Sequence, residues 1–315
     1  VLPQALLAVS RDFEPRLLRE LHARGHDGLR PAFGRLLYLV WDAPLPLVAV
    51  AEELGISRQA AGQLVDRIEA IGYVERRPNP GDGRSKLVCI TALGRAVDDD
   101  RARDAIAACE AHYATIVGEP AVVRFAEDLT TLRDAFDVAR HATPSVGVLP
   151  FVALHGRDAV LAALLAAGHA ELTPTHLDVL AVVRHGGARP VDVARAQGVS
   201  RQAAGASLQE LEQLGYLVRR PDPDDKRGVV FAPDDRGAVL LDDTDAAVAA
   251  FEDDAGRVLG ARRLARLRHV AGRLAVALGP GRDELSTLAT SLVDRLGPDD
   301  ARRLAALLTD AVGGA

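Results

Sequence analysis

Ile56–Arg84 reads ISRQAAGQLVDRIEAIGYVERRPNPGDGR, and Val199–Arg227 reads VSRQAAGASLQELEQLGYLVRRPDPDDKR. The two segments align without a gap, and about half of their positions are identical. The same offset pairs Gly25-His26 with Gly168-His169, Pro31 with Pro174, and Gly94 with Gly237. One unit of roughly 140 residues is therefore written twice. Two copies are too few and too long for a solenoid, so the chain reads as two fused domains related by a pseudo-twofold axis. The expected division is 1–143 for the first unit, 144–283 for the second, and 284–315 for a C-terminal helical extension without a counterpart.

Outward from the repeat, each unit has the same order of elements. An apolar-periodic helix leads, over Leu2–Ala23 and again over Leu149–Ala167, and a second helix follows Pro31 or Pro174, prolines suited to a first turn. A short helix comes next, Leu47–Leu54 or Val191–Gln197, ended by Gly55 or Gly198. Ser57 and Ser200 then stand where a side-chain oxygen caps the following helix, which stops at Gly72 or Gly215. Strand-like runs, Tyr73–Arg77 and Lys86–Thr91, flank the turn-rich PNPGDG, replaced by PDPDDK in the second unit. Helix, glycine-containing turn, capped helix and hairpin make a winged helix-turn-helix, about 30–92 and 173–235. Long helical stretches close each unit. The expected fold class is mainly α with small β-hairpin wings, two winged helix-turn-helix units on a shared helical, dimer-like base.

The second helix of such a motif matters through what it exposes. At 100° per residue, Ala60, Leu64, Ile68 and Ile71 share one face and are expected in the core. The opposite face carries Gln59, Gly62, Gln63 and Asp66, with Arg58 at its edge. Free amides at a helix N-terminus suit a phosphate, arginine suits guanine O6/N7, and glutamine suits adenine N6/N7. The hairpin adds Arg76, Arg77, Arg84 and Lys86, mirrored by Arg219, Arg220, Lys226 and Arg227. Ile56–Ile90 holds six basic and four acidic residues, whereas Val199–Phe231 holds five of each, so the first unit is the stronger candidate reader of a polyanion. In the second unit Gln63, Asp66 and Arg67 give way to Ala206, Gln209 and Glu210.

Composition restricts the alternatives. The formal net charge of −6 argues against a general polyanion binder, leaving only a local distribution of charge to support DNA contact. With 48% hydrophobic and 26% charged residues the chain is globular in balance. No uninterrupted apolar run reaches ~18 residues, so no membrane span is expected. The opening VLPQALLAVSRDFEPR lacks a basic region before its apolar run, which makes a cytoplasmic protein the expectation. Cys89 and Cys109 form neither a disulfide framework nor a metal cluster and are expected as small buried hydrophobes. His22 and His26 are spaced i, i+4, but no Cys or carboxylate set completes a metal site. No phosphate loop, G-x-S-x-G or H-E-x-x-H occurs, so neither enzymatic activity nor a cofactor is expected.

The run SRQAAGQLVDRIEAIGYVERRPNPGDGRSKLVCITALG resembles the recognition helix and wing of multiple-antibiotic-resistance (MarR) type transcription regulators. Asp82 and Arg84 match that family's Asp-x-Arg pair in the wing, as do Asp225 and Arg227, and Ile90–Gly94 matches the exit from the wing. The second unit departs there with Ala232-Pro233-Asp234-Asp235-Arg236-Gly237, and because proline cannot donate to a ladder a shorter strand is expected. The resemblance implies a sequence-specific, small-molecule-responsive repressor whose wing arginine enters the minor groove while the aspartate helps to hold it. Family members are homodimers with intertwined first and last helices, so the chain would be a covalent pseudo-dimer, with further pairing through the extension left open. Two unlike recognition helices about one helical turn apart would read imperfectly palindromic half-sites in double-stranded DNA.

Carried over residue by residue, the DNA-contacting set is Ser57, Arg58, Gln59, Gln63, Arg67, Arg76, Arg77, Asp82, Arg84 and Lys86 in the first unit. In the second it is Ser200, Arg201, Gln202, Arg219, Arg220, Asp225, Lys226 and Arg227. The family also takes small, often aromatic, ligands between winged domain and base. Phe33, Tyr38, Trp41, His112 and Tyr113 are the candidates for such a cleft, in one asymmetric site per chain. The competing reading is a ligand-binding protein or enzyme on a recruited scaffold that has lost DNA binding.

Overall fold

The structure, a computed structural model, describes residues 1–26, 28–54, 56–96, 100–138, 145–184, 186–222 and 228–278. Gly55, the wing-tip residues Asp225, Lys226 and Arg227, and the extension 284–315 lie outside the described residues.

The first unit runs α1 (Leu2–Ala23), α2 (Pro31–Leu39), a two-residue strand β1 (Leu45–Pro46), α3 (Leu47–Leu54), α4 (Arg58–Ala70), the hairpin β2 (Val74–Pro78) and β3 (Lys86–Ile90), a single turn α5 (Ala92–Arg95), α6 (Asp100–Val117) and α7 (Glu119–Ala135). After a 3-10 turn at Val146–Val148 the second runs α8 (Leu149–Ala166), α9 (Pro174–Val183), α10 (Pro190–Gln197), α11 (Arg201–Gln213), β4 (Leu217–Pro221), β5 (Val229–Pro233), α12 (Asp235–Leu259) and α13 (Ala261–Leu278). Gly94 and Gly237 are repeated for a steric reason. A Cβ there would lie 2.2 Å from the Tyr73 carbonyl oxygen and 2.0 Å from that of Tyr216, where the helix after each wing crosses the wing's root.

In the first lobe β1, β3 and β2 form a three-stranded antiparallel sheet, Val74 opposite Ile90 and Leu45 opposite Val88. Among the described residues the second lobe has a two-stranded sheet of β4 and β5, with a bridge from Ala188 to Phe231 in place of β1. Contrary to expectation, Pro233 does not shorten β5, which matches β3 at five residues. Phe231 turns its N–H and C=O to Ala188, away from β4, and Pro233, two residues on, faces the same way. Its missing donor costs the hairpin nothing, because the next ladder-closing N–H comes from Asp234 to the Tyr216 carbonyl.

α4 also departs from expectation. It buries Ala61, Val65 and Ile68, while Ala60 is exposed and Leu64 and Ile71 are only partly covered. The helix has two apolar edges, and the lobe core takes the one led by Ala61; the Ala60–Leu64 edge faces a cleft beside α1.

Each lobe has its own core, and a third belongs to both units. It gathers Leu6, Phe13, Tyr113, Phe125, Leu129, Leu149, Val152, Phe251 and Leu267 from α1, α6, α7, α8, α12 and α13. α1 packs chiefly on α8 and α13, helices of the other unit. The exchange is reciprocal: the Leu2 N–H donates to Glu252 Oε1 of α12 at 2.7 Å, and the Val146 N–H donates to Glu110 Oε1 of α6 at 3.1 Å. Each buried Leu or Phe contributes about 1.5–3 kcal/mol, so the units cannot part without losing a large apolar interface. A buried charged contact crosses it, Asp128 of α7 clasped by Arg263 and Arg266 of α13 at 2.7 and 2.8 Å. Cys109 packs as the small hydrophobe expected; burial pushes its thiol up to about 12. Val146–Ala166 proves long and apolar enough, by length and composition, to cross a membrane, although no span was expected. Its apolar character has a structural cause, since α8 packs against α1, α7 and α12.

Candidate nucleic-acid interface

Each helix-turn-helix presents a capped N-terminus. Ser57 Oγ accepts the Ala60 N–H at 3.2 Å and Ser200 Oγ accepts the Ala203 N–H at 3.1 Å. Gly198 ends α10 in a left-handed conformation, φ 67°, which turns the chain into α11. Arg58 and Gln59, with Arg201 and Gln202, follow the caps, exposed and without a protein partner among the described residues. They are available to a phosphate or a base edge.

The first wing has a built tip. Asn79 Nδ2 donates to Ser85 Oγ at 2.9 Å, Asn79 Oδ1 accepts the Gly81 N–H at 3.0 Å, and Asp82 Oδ1 accepts the Arg84 N–H at 3.0 Å. Asp82 thus orders Arg84 through its backbone and leaves the guanidinium exposed. Asn79 and Ser85 were not among the expected site residues, although the Asn-Pro-Gly-Asp-Gly turn chemistry could have singled them out. Lys86 is exposed on β3.

Not every arginine of the wing is free. Arg76 is turned against α4, where its guanidinium meets Glu69 and Asp66, the latter at 2.7 Å, and its N–H donates to Glu69 Oε1 at 2.8 Å. It braces the hairpin to the recognition helix. Arg77 pairs with Glu75 at 2.5 Å. In the second wing Arg219 pairs with Glu212 at 2.8 Å and lies over the Phe231 ring, leaving Arg220 exposed.

A family model described as "MarR family" matches residues 27–85 and again 170–228, the two winged lobes. Both winged lobes are similar to the MarR family over those residues. Among solved structures, CouR from Rhodococcus jostii RHA1 bound to p-coumaroyl-CoA is 26% identical, with a TM-score of 0.34 over 39% of this chain and 86% of that one. The apo form of MarR from E. coli is 24% identical, TM-score 0.32, over 38% and 88%. A mutant E. coli MarR complexed with operator DNA is 22% identical, TM-score 0.33, over 38% and 86%. No curated protein matches the chain.

The first MarR-type unit also has a cleft of about 650 Å³ where α1, α2, α4 and the start of α8 meet. Phe13, Leu17, Leu37, Leu64 and Phe151 line it, and Arg30, Arg35, Arg67, Gln63 and Glu14 bring polar groups. Gln63 and Arg67, expected at the DNA face, therefore border this cleft. Burial raises the Glu14 carboxyl above its ordinary value, partly offset by a hydrogen bond from Ser10 Oγ at 3.3 Å. None of the five aromatic candidates lines it. Phe33 and Tyr113 fill the lobe and base cores, Tyr38 packs on Phe151 with centroids 4.8 Å apart, Trp41 sits under Arg95, and His112 lies beside Tyr113. Phe33 and Tyr113 are thus taken up in the interior, and Tyr38, Trp41 and His112 stay partly buried outside the cleft lining. The legible signal was instead the second apolar edge of α1, Leu17, Leu18 and Leu21, beyond the Leu2, Leu6, Val9 and Phe13 stripe of the base.

The corresponding boundary of the second unit, between α8, α9 and the start of α1, holds only about 40 Å³. Arg11 of α1 bridges it to Asp178 of α9 at 2.7 Å; in the first unit the paired positions are Leu154 and Arg35, which line the open cleft. His176 stands where the first unit has Phe33. Its Nδ1 accepts the Thr173 N–H at 3.2 Å, so Nε2 carries the proton and donates to Glu210 at 3.1 Å, the residue in place of Arg67. α9 and α11 are thereby tied together.

Proposed function

We propose that the chain is a ligand-responsive transcriptional repressor that binds double-stranded DNA as a covalent pseudo-dimer, its units 1–143 and 144–283 each reading one half-site. The observation that carries this reading is the pair of capped, exposed recognition helices held on one base built by both units. Arg58, Gln59, Arg84 and Lys86 contact DNA in the first lobe; Arg201, Gln202 and Arg220 do so in the second, with Arg227 at the wing tip. The unlike helices favour an imperfect palindrome.

The effector enters the first cleft. An apolar body with an acidic end suits its leucine lining and the arginines Arg30, Arg35 and Arg67. Because α4 forms one wall and α8 of the other unit forms another, a ligand there shifts the recognition helix relative to the base. A lobe spacing that misses successive major grooves loses half of the contacts.

The test is binding to a fluorescent fragment of the DNA upstream of the chain's own gene, across a salt series, beside Arg84→Ala and Arg227→Ala. Preference over random duplex, with Arg84→Ala losing roughly tenfold or more in affinity and flattening the salt slope by about one, is expected. Equal, weak binding of every duplex by all three proteins would overturn the reading and leave the cleft as the seat of function.

A further inference from the structure

α7 and α13 hold equivalent places in the two halves of the base. Counted from Gly118 and Gly260, the glycines before them, Val123 corresponds to Ala265 and Glu127 to His269. Both helices bury the same edge in the shared core, Phe125, Leu129 and Leu132 from α7 and Leu267, Ala271 and Leu274 from α13. The opposite edge is left to solvent on both, with Val123 and Glu127 on one helix and Ala265 and His269 on the other.

These two exposed edges carry opposite charge. A groove of about 830 Å³ runs between α6 and α7, and Glu110, Glu119 and Glu127 stand on its rim. Ala111, Ala114 and Ala126 line it, with Val123 half exposed. Among the described residues no basic side chain pairs with these three carboxylates. α13, by contrast, holds five arginines and no acidic residue. Arg263, Arg266 and Arg268 are engaged by Asp128 and Glu252 of the same chain. Arg273 donates to the Ile116 carbonyl and meets no carboxylate among the described residues. Arg262 and His269 are exposed and without a protein partner among the described residues. Arg262, Ala265, His269, Arg273 and Val276 recur every three or four residues, so they form one exposed stripe. Alanines on both surfaces allow two helices to approach closely.

We propose that α13 of a second copy of the chain docks in the α6–α7 groove, its Arg262 and His269 meeting the glutamates of the rim. Because α7 and α13 are equivalent in the repeat, a two-fold axis crossing the pseudo-two-fold sets each chain's α13 against the other's α7. Both contacts then form together and the assembly closes as a dimer of the fused chain. Two identical units would present the same charge at both places. Fusion lets one edge be acidic and the other basic, which favours α7 on α13 and sets like charges against each other in the α7-on-α7 and α13-on-α13 alternatives.

Sedimentation equilibrium of the full chain, free of DNA, tests this. The chain should dimerise, and added salt should weaken the dimer, since the contact joins exposed charges. Arg262→Glu/His269→Glu makes both edges acidic, and Glu119→Arg/Glu127→Arg makes both basic. Each variant alone should dimerise at least about tenfold more weakly than the parent chain, with an unchanged circular dichroism spectrum. An equimolar mixture of the two sets an acidic edge against a basic one at both contacts and should restore dimerisation. A monomeric parent chain, variants that dimerise as the parent does, or a mixture that stays monomeric would each overturn the proposal. The second of these results would place the contact elsewhere, the C-terminal extension included.

Discussion

The two lobes share one backbone plan and differ in which surface each leaves open. The first keeps a cleft of about 650 Å³ bordered by arginines; the second closes the same boundary with Arg11–Asp178 and ties α9 to α11 through His176 and Glu210. In a homodimer each substitution would appear twice. Within one chain Phe33 and His176, Arg35 and Asp178, or Arg67 and Glu210 can diverge separately. None of these contacts need be strong, since partly exposed ion pairs contribute at most about 1 kcal/mol each. Several small changes at matched positions suffice to turn an open cleft into a closed seam.

That comparison can be broken first where the lobes are most alike. Gly94→Ala and Gly237→Ala each force a Cβ onto a backbone carbonyl, and each should cost about 3 kcal/mol in urea unfolding. A loss confined to one of them would show that the wing roots are not equivalent. Next comes the seam between the units. Asp128→Asn leaves Arg263 and Arg266 without their carboxylate and should cost about 3 kcal/mol, while the mirror position, Val270, supplies no such contact. Arg11→Ala should change stability by less than about 1 kcal/mol, yet open the second boundary. Calorimetric titration with an effector should then rise from one site per chain towards two.

The smallest effect is one of pH. With its folded carboxyl raised by burial, Glu14 holds its proton to a higher pH in the folded chain than in the unfolded one. Stability from this group is therefore present at low pH and is lost as pH rises through the folded value. Glu14→Gln should be the more stable protein at about pH 7, and its advantage in urea midpoint should shrink towards about pH 4.

Much of the plan was legible because it rests on local chemistry. The caps at Ser57 and Ser200, the closing Gly198 and the paired Gly94 and Gly237 are fixed by backbone demands within a few residues. The errors arose where a residue had two possible neighbours. Ala60–Leu64 and Ala61–Val65 are both apolar edges of α4, and only the tertiary surroundings choose between them. Arg76 looks like any wing arginine until Glu69 and Asp66 are brought beside it by the hairpin's return. Of the aromatic candidates, Phe33 and Tyr113 are taken by the cores, while the cleft draws its rings, Phe13 and Phe151, from the helices of the base.

The exchange of first helices also sets a timetable. Leu2 and Glu252 are 250 residues apart, so the Leu2 amide lacks this partner until α12 has left the ribosome. At about 5–20 residues per second, α1 waits roughly 10–50 s for the helices that cover it. During that interval the first unit shows the face it will later give to the second, and the α12 of a neighbouring nascent chain on the same message would fit it equally well. Slower translation lengthens that interval, and with it the time that α1 is exposed to a second chain.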